Sequence, residues 1–232
     1  MANILVTGTS RGIGRSILDA LSGQNVVGHS SGGGGDAVAA DLSQPGAAAT
    51  LWGEAMDRLG GRIDVLVNNA GIFEAAPIGL PAADWTAQWE RTMRVNLTAA
   101  AELCRLAVLH FGQAGGGRIV NVASRAAYRG DSPAHWHYAA SKAGMIAMTK
   151  TIARGYAAEN ILAFAVSPGF TASEMIDEYM ASRGGQKIVA DIPLGRVASA
   201  EEVAETVRWL AVDAPPSATG AVIDVNGASF VR

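Results

Sequence analysis

Tyr138 and Lys142 stand four residues apart in a stretch, 134–157, that contains no proline and is rich in Ala, Met, Lys and Ile. That composition predicts a helix with both side chains on one face. A phenol ordinarily titrates near ~10, and an ammonium group within a few ångströms favours the phenolate. A tyrosine so placed is a candidate general acid or base near neutral pH. With Ser124 upstream, the segment 124–142 is where proton-transfer chemistry can be assembled. The Tyr-x-x-x-Lys spacing alone also fits a solvated helix pair, so the rest of the chain must decide between the two.

The elements around this segment read as an alternation of strands and helices. Ile4-Leu5-Val6 is a first strand, and Thr7-Gly8-Thr9-Ser10-Arg11-Gly12-Ile13-Gly14 leads into a helix carrying Ile13, Ile17, Leu18 and Leu21. Strand, glycine turn and helix form the context in which backbone N–H groups cradle a diphosphate. Three residues separate the first two glycines, where the common G-x-G-x-x-G has one. Asn25 to His29 reads as a second strand and Ala37 to Asp41 as a third, with only Ser30-Ser31, four glycines and Asp36 between. A parallel crossover normally needs a dozen residues and a helix; either this one lacks its helix or one strand is misread. Ser43 is a candidate cap for a helix to about Leu59. Arg62 to Val67 is a fourth strand ending in Asn68-Asn69-Ala70-Gly71. Asp84 to about Phe111 reads as one helix, with Asn96 embedded among Val95, Leu97, Leu103, Leu106 and Leu109. Buried, Asn96 must serve either as a local backbone tie or as part of a water or proton path.

Arg118 to Ala123 is a fifth strand. The loop 125–137 holds Arg125, Arg129, His135, Trp136 and His137, suited to a substrate mouth. Its two histidines lack a third ligand in sequence, so they are expected to face solvent or substrate rather than a metal. Ile161 to Val166 is a sixth strand, followed by Pro168-Gly169-Phe170-Thr171. Residues 172–198 suit a lid, Ser199 caps a helix to about Val212, and Ala221 to Val225 closes the sheet.

Composition bounds the reading. The 232 residues fit one α/β domain; 49% hydrophobic, 17% charged and a net charge of −3 suggest neither disorder nor a nucleic-acid surface. The single cysteine, Cys104, excludes an internal disulfide and suits a reducing cytoplasm. It lies in an apolar helical run, where a buried structural role is expected. No leader precedes the first strand and no apolar run reaches the roughly 18 residues of a membrane span. A cytoplasmic protein whose partners are small molecules or copies of itself is expected.

Taken in order, Thr7-Gly8-x-x-x-Gly12-x-Gly14, Asn68-Asn69-Ala70-Gly71, Asn96, Ser124, Tyr138-x-x-x-Lys142 and Pro168-Gly169 resemble the short-chain dehydrogenase/reductase family over nearly the whole chain. The likeness is greatest to its bacterial 3-oxoacyl-acyl-carrier-protein reductase branch. The resemblance implies a Rossmann-type, doubly wound sheet of seven parallel strands in a single domain, and hydride transfer between a nicotinamide cofactor and a carbonyl or alcohol. It gives catalytic roles to Asn96, Ser124, Tyr138 and Lys142. Tyr138 donates the proton, Ser124 holds the carbonyl oxygen, and Lys142 lowers the tyrosine pKa and contacts the ribose. Asn96 holds a kink and a water leading to Lys142. The same resemblance places the cofactor against Gly8, Thr9, Ser10, Arg11, Gly12, Ile13, Gly14, Ser30, Ser31, Asp41, Leu42, Asn69, Ala70, Gly71, Tyr138, Lys142, Pro168, Gly169, Thr171 and Ser173, with no metal. It also implies a homodimer or homotetramer paired through its long helices.

His29-Ser30-Ser31 ends the second strand, where readers of an unphosphorylated ribose place a carboxylate. Serine hydroxyls and Arg11 instead predict NADP(H) over NAD(H). A nucleotide-sensing regulator would need only the glycine loop, so Tyr138 and Lys142 argue for chemistry. An epimerase or dehydratase on the same scaffold would leave its cofactor unconsumed.

Overall fold

A computed structural model describes residues 1–172 and 189–231. Seven parallel strands run β3-β2-β1-β4-β5-β6-β7, with β1 at Asn3–Val6, β2 at Asn25–Ser30, β3 at Val38–Ala39, β4 at Val65–Asn68, β5 at Gly117–Val122, β6 at Ile161–Pro168 and β7 at Val222–Val225. Register on either side of β1 pairs Ile4 with Val26 and with Val65. Alternate residues of each strand point to opposite faces, which splits the core in two. Ile4 and Val6 pack with Ile17 and Leu21 and with Val203, Val207 and Leu210. Leu5 and Leu66 pack on the other face with Leu51, Leu103, Phe111 and Ile152. Helices α1 (Gly12–Ala20) and α7 (Ala200–Arg208) therefore cover one face, and α2 (Ala47–Arg58), α4 (Ala99–Ala114) and α6 (Trp136–Tyr156) the other. Residues such as Leu103, 1% exposed, are worth about 3 kcal/mol each against truncation to Ala.

The short crossover is real. β2 pairs with β3 in parallel, His29 opposite Val38, and the connection contains no helix. Gly33, Gly34 and Gly35 all adopt positive φ, a run of conformations that side chains resist, and this lets a few residues reverse the chain. Ser30 Oγ donates to Gly33 O at 2.8 Å, and Arg58 ties the turn to α2 through Asp36 O at 2.7 Å. Helix α2 covers the opposite face of these strands, where Val27 and Val38 are buried with Leu51, Trp52 and Ala55; on the α1 side, where a crossover helix would lie, Ala39 is exposed.

Other boundaries shift. Ser43 does not cap α2; that position belongs to Gly46, in the left-handed region. The preceding residues are held in a turn by Asp41, whose Oδ1 accepts from Ser43 N at 3.0 Å. The long helix expected from Asp84 starts at Ala82, after Pro81, as α3 (Ala82–Met93), and passes through a π-helical turn, Arg94–Thr98, before α4. Ser199 does cap α7, in a reciprocal capping box with Glu202. Cys104 is buried, touching Asn68 Nδ2 at 3.2 Å, and burial pushes its thiol up to about 12. Among the described residues no helix is long and apolar enough to cross a membrane.

Candidate active site

The glycine loop follows β1 and is braced from β4. Thr7 Oγ1 accepts from the N–H groups of Asn69 and Ala70, both at 3.0 Å, and Asn69 Nδ2 donates to Thr7 O and Gly8 O at 3.0 and 2.9 Å. A Cβ on Gly8, at φ +72, would lie 2.7 Å from Ala70 Cα, whereas one on Gly12, at φ +53, would meet nothing within 4 Å. The loop is thus packed at Gly8 and open at Gly12. Helix α1 begins there with no side-chain cap, so its first N–H groups are left for a ligand. That donor set fits a diphosphate, the group a dinucleotide would bring.

His29 adds a brace that the sequence did not single out. Gly8 N donates to His29 Nδ1 at 3.2 Å, and the ring's Nε2 lies 2.8 Å from Ala40 O. A backbone N–H on one nitrogen and a carbonyl on the other fix the neutral Nε2–H tautomer. Burial accordingly lowers the His29 pKa. The only advance signal was its place as the last residue of the expected strand.

A cleft of about 840 Å³ runs along the carboxyl ends of the strands. Its lining includes Gly8, Ser10, Arg11, Gly12, Ile13, Gly14, Ser30, Ser31, Asp41, Leu42, Asn69, Ala70, Gly71, Ser124, Tyr138, Lys142, Pro168, Gly169 and Thr171. Among the described residues, one expected cofactor contact stands apart from it. Thr9 is buried, its Oγ1 donating to His29 O at 3.1 Å, so it fastens the loop to β2. Ser173 lies outside the described residues, as does most of the expected lid. Ser30 lines the cleft, yet its hydroxyl proton is committed to Gly33 O, which leaves Ser31 and Arg11 as the freer donors. Phe73, Arg91, Asp131 and Phe170 also line the cleft; residues of such ordinary types carry no signal in one sequence.

At the substrate end, α6 carries Tyr138 and Lys142. Lys142 Nζ donates to Val122 O at 2.8 Å and lies 5.8 Å from the Tyr138 ring centroid. The expected lowering of the phenol is overturned: burial pushes Tyr138 up to about 12, against a smaller opposite pull from Ser124. Burial also brings Lys142 down to about 8. Gly71 lies beside both groups: a Cβ there would meet Lys142 Nζ at 3.5 Å and Asn96 Oδ1 at 3.4 Å, ordinary contact distances.

Asn96 itself is fully buried in the π turn. It accepts from Ile72 N at 2.8 Å and donates to Ile72 O at 3.0 Å. Of the two roles open to it, the backbone tie is therefore occupied. His135 and His137 are buried rather than solvent-facing. His135 stacks on Phe73 at 3.9 Å and hydrogen-bonds Ser132 Oγ at 2.7 Å, and the Phe73 edge meets Tyr138.

A doubly wound parallel sheet, with an uncapped glycine-loop helix and a titratable tyrosine in one cleft at its strand ends, defines a dinucleotide-dependent enzyme. Comparison with known proteins narrows the class. Residues 11–228 match the family described as enoyl-(acyl carrier protein) reductase. A 3-oxoacyl-[acyl-carrier-protein] reductase of Haemophilus influenzae is 33% identical over 98% of this chain and 97% of its own length. One from Thermotoga maritima is 40% identical over 72% of this chain and 66% of its own. An acetoacetyl-CoA reductase of Shinella zoogloeoides is 33% identical over 97% of both. The chain belongs to the short-chain dehydrogenase/reductase family and is an NAD(P)-dependent oxidoreductase.

Proposed function

We propose that this enzyme reduces the ketone of a 3-oxoacyl compound, with NADP(H) favoured over NAD(H). The observation that carries the reading is the placement of Ser124, Tyr138 and Lys142 on the cleft that also holds the glycine loop. The nicotinamide cofactor supplies, when bound, the hydride that reduces the carbonyl carbon. The N–H groups at the start of α1 hold its diphosphate, and Lys142 reaches the ribose hydroxyls next to the nicotinamide. Ser124 holds the carbonyl oxygen and polarises it. As the carbonyl carbon takes up the hydride, negative charge gathers on that oxygen, and the Tyr138 phenol delivers its proton there, completing the alcohol. With its pKa at about 12, the phenol is protonated at neutral pH, the state that reduction requires. Solvent then restores the tyrosine proton. Asn96 keeps the π turn tied to Ile72, the residue after Gly71.

Arg11 and Ser31, exposed at the adenosine end, favour a 2′-phosphate, and the strand end between them carries no carboxylate. Residues 125–137 and 170–198 form the substrate side. The likeness to oxoacyl reductases supports the substrate, and its ketone is one both named relatives' substrates share. Replacing Tyr138 by Phe tests the reading: reduction of acetoacetate esters should fall about 10²–10⁴-fold, the usual contribution of a positioned proton donor. Near-normal turnover in a folded variant would reject it, and cofactor binding without turnover on any ketone would favour a nucleotide sensor.

The protein acts in the cytoplasm as a homodimer or homotetramer. Leu109 on α4 is 53% exposed, and Trp136 and Tyr156 on α6 are 51% and 37% exposed, an apolar surface that a second copy would cover. A light-scattering mass of one chain at micromolar concentration would contradict the assembly.

A further inference from the structure

Arg125, the residue after Ser124, is 8% exposed and lines the cleft. Its backbone is fixed by an N–H bond to Pro168 O at 2.9 Å, and its guanidinium lies 4.5 Å over the centroid of the Phe170 ring. Among the described residues that guanidinium makes no hydrogen bond, and Nη1 is buried without a partner. The neighbouring charges do not account for it. Asp191 is engaged by Arg129 at 2.9 Å, Asp131 Oδ1 accepts from Ser132 N at 2.7 Å, and Arg129 adds a second positive charge nearby. A buried, unpaired guanidinium is costly to a folded protein, and its five donors in a rigid fork match a carboxylate.

We infer that Arg125 is a specificity residue, binding an ionised carboxylate that the substrate carries close to its ketone. The inference rests on the carbonyl-reductase reading of the same cleft and deepens it: among the 3-oxo compounds the enzyme reduces, one with a free carboxylate near its ketone is preferred to its neutral ester. The cofactor's phosphates do not explain the site. They belong to the loop after β1, whereas Arg125 follows β5, two strands away across β4, roughly 10 Å at the usual spacing. Arg125 and Ser124 are adjacent in the chain. Both line the same cleft, so a ketone oxygen held at Ser124 brings a nearby carboxylate of the same molecule within the cleft that Arg125 faces. The Phe170 ring stacks on the flat face of the guanidinium, which leaves the in-plane N–H edges as the place for a bidentate carboxylate.

Acetoacetate and ethyl acetoacetate present the same ketone with and without the charge. With NADPH, the enzyme should show a kcat/KM for the acid about tenfold or more above that for the ester, the scale of one buried charge-assisted pair. Arg125→Gln should collapse that ratio, and Arg125→Lys, which keeps the charge but loses the fork, should restore part of it. An ester used as well as the acid, or a ratio unmoved by Arg125→Gln, would overturn the inference. A second arm avoids turnover: acetoacetate titrated calorimetrically into the enzyme with NADP+ should bind about tenfold more weakly to Arg125→Gln. Equal affinity, or no binding to the parent enzyme at millimolar acid, also overturns it. Binding that depends on Arg125 without reduction of either ketone would instead uphold the anion site and sink the catalytic reading.

Discussion

Lys142 Nζ points at the Val122 carbonyl, 2.8 Å away, and sits 5.8 Å from the centre of the Tyr138 ring. A charged amine is thus held inside the protein beside a neutral phenol, with a single carbonyl as its acceptor. This arrangement serves a ligand at the expense of the fold.

The expense has a pH signature. The Lys142 pKa is about 8 in the folded chain against an ordinary 10.5, so the unfolded chain holds the extra proton between those values. Stability must rise with pH across that window, and the penalty, about 3 kcal/mol, is complete below pH 8. Tyr138, raised to about 12, acts oppositely between 10 and 12, which places the optimum of this pair near pH 10. Lys142→Met should abolish reduction yet raise stability at pH 7 by about 2 kcal/mol, after the loss of the Val122 bond. The gain should shrink as pH climbs from 8 to 10. Denaturant melts of both proteins at pH 7 and 10 measure it; a variant less stable at pH 7 would refute it.

Asn96→Ala should remove the partners of both Ile72 backbone groups. Two polar groups left without bonds in a buried site amount to about 3 kcal/mol, or a Tm lower by about 10 °C. Loss of activity should exceed what the unfolded fraction explains, because Asn96 ties down Ile72 beside Gly71 on the cleft and bonds Ser141, the neighbour of Lys142. Calorimetry and activity at 15 °C separate the two effects.

The glycine loop predicts two different failures. Gly8→Ala puts a Cβ against Ala70 at positive φ and should compromise folding. Gly12→Ala meets no atom, so it should cost stability only the ~1 kcal/mol of an unfavourable φ while weakening cofactor affinity. Thermal melts and fluorescence titration with NADPH test the contrast, which fails if the two variants behave alike.

Arg11→Ala should lower kcat/KM for NADPH about tenfold and leave NADH within a factor of about two, the effect of removing one charge-assisted bond to a 2′-phosphate. Rates for both cofactors at fixed ketone and salt measure the ratio. An unchanged ratio, or a parent enzyme that prefers NADH, would reverse the assignment.

The strands and their cleft-side ends were legible in the sequence because their signals are local. Apolar runs such as Ile4-Leu5-Val6 and Ile161 to Val166, each followed by glycine or a small polar residue, fix a strand and its turn within a few positions. The missing crossover helix was legible for the same reason, as too few residues separate the second and third strands to hold one. The glycine loop and the Tyr138 helix followed from spacing alone. What spacing could not supply was environment. That the phenol rises rather than falls depends on how deeply it is buried, which outweighs the pull of Ser124, and the Phe73 edge that meets it comes from a separate stretch. That Asn96 is tied to Ile72 needs two segments 24 residues apart brought within hydrogen-bonding distance by a π turn. That His29 braces Gly8, that His135 and His137 are buried, and that the Arg125 guanidinium has no hydrogen-bond partner among the described residues are likewise properties of contact. Residue type sets what a group can do, and only the packed fold decides what stands next to it and how much water remains, which is what sets a pKa or leaves a charge waiting for a ligand.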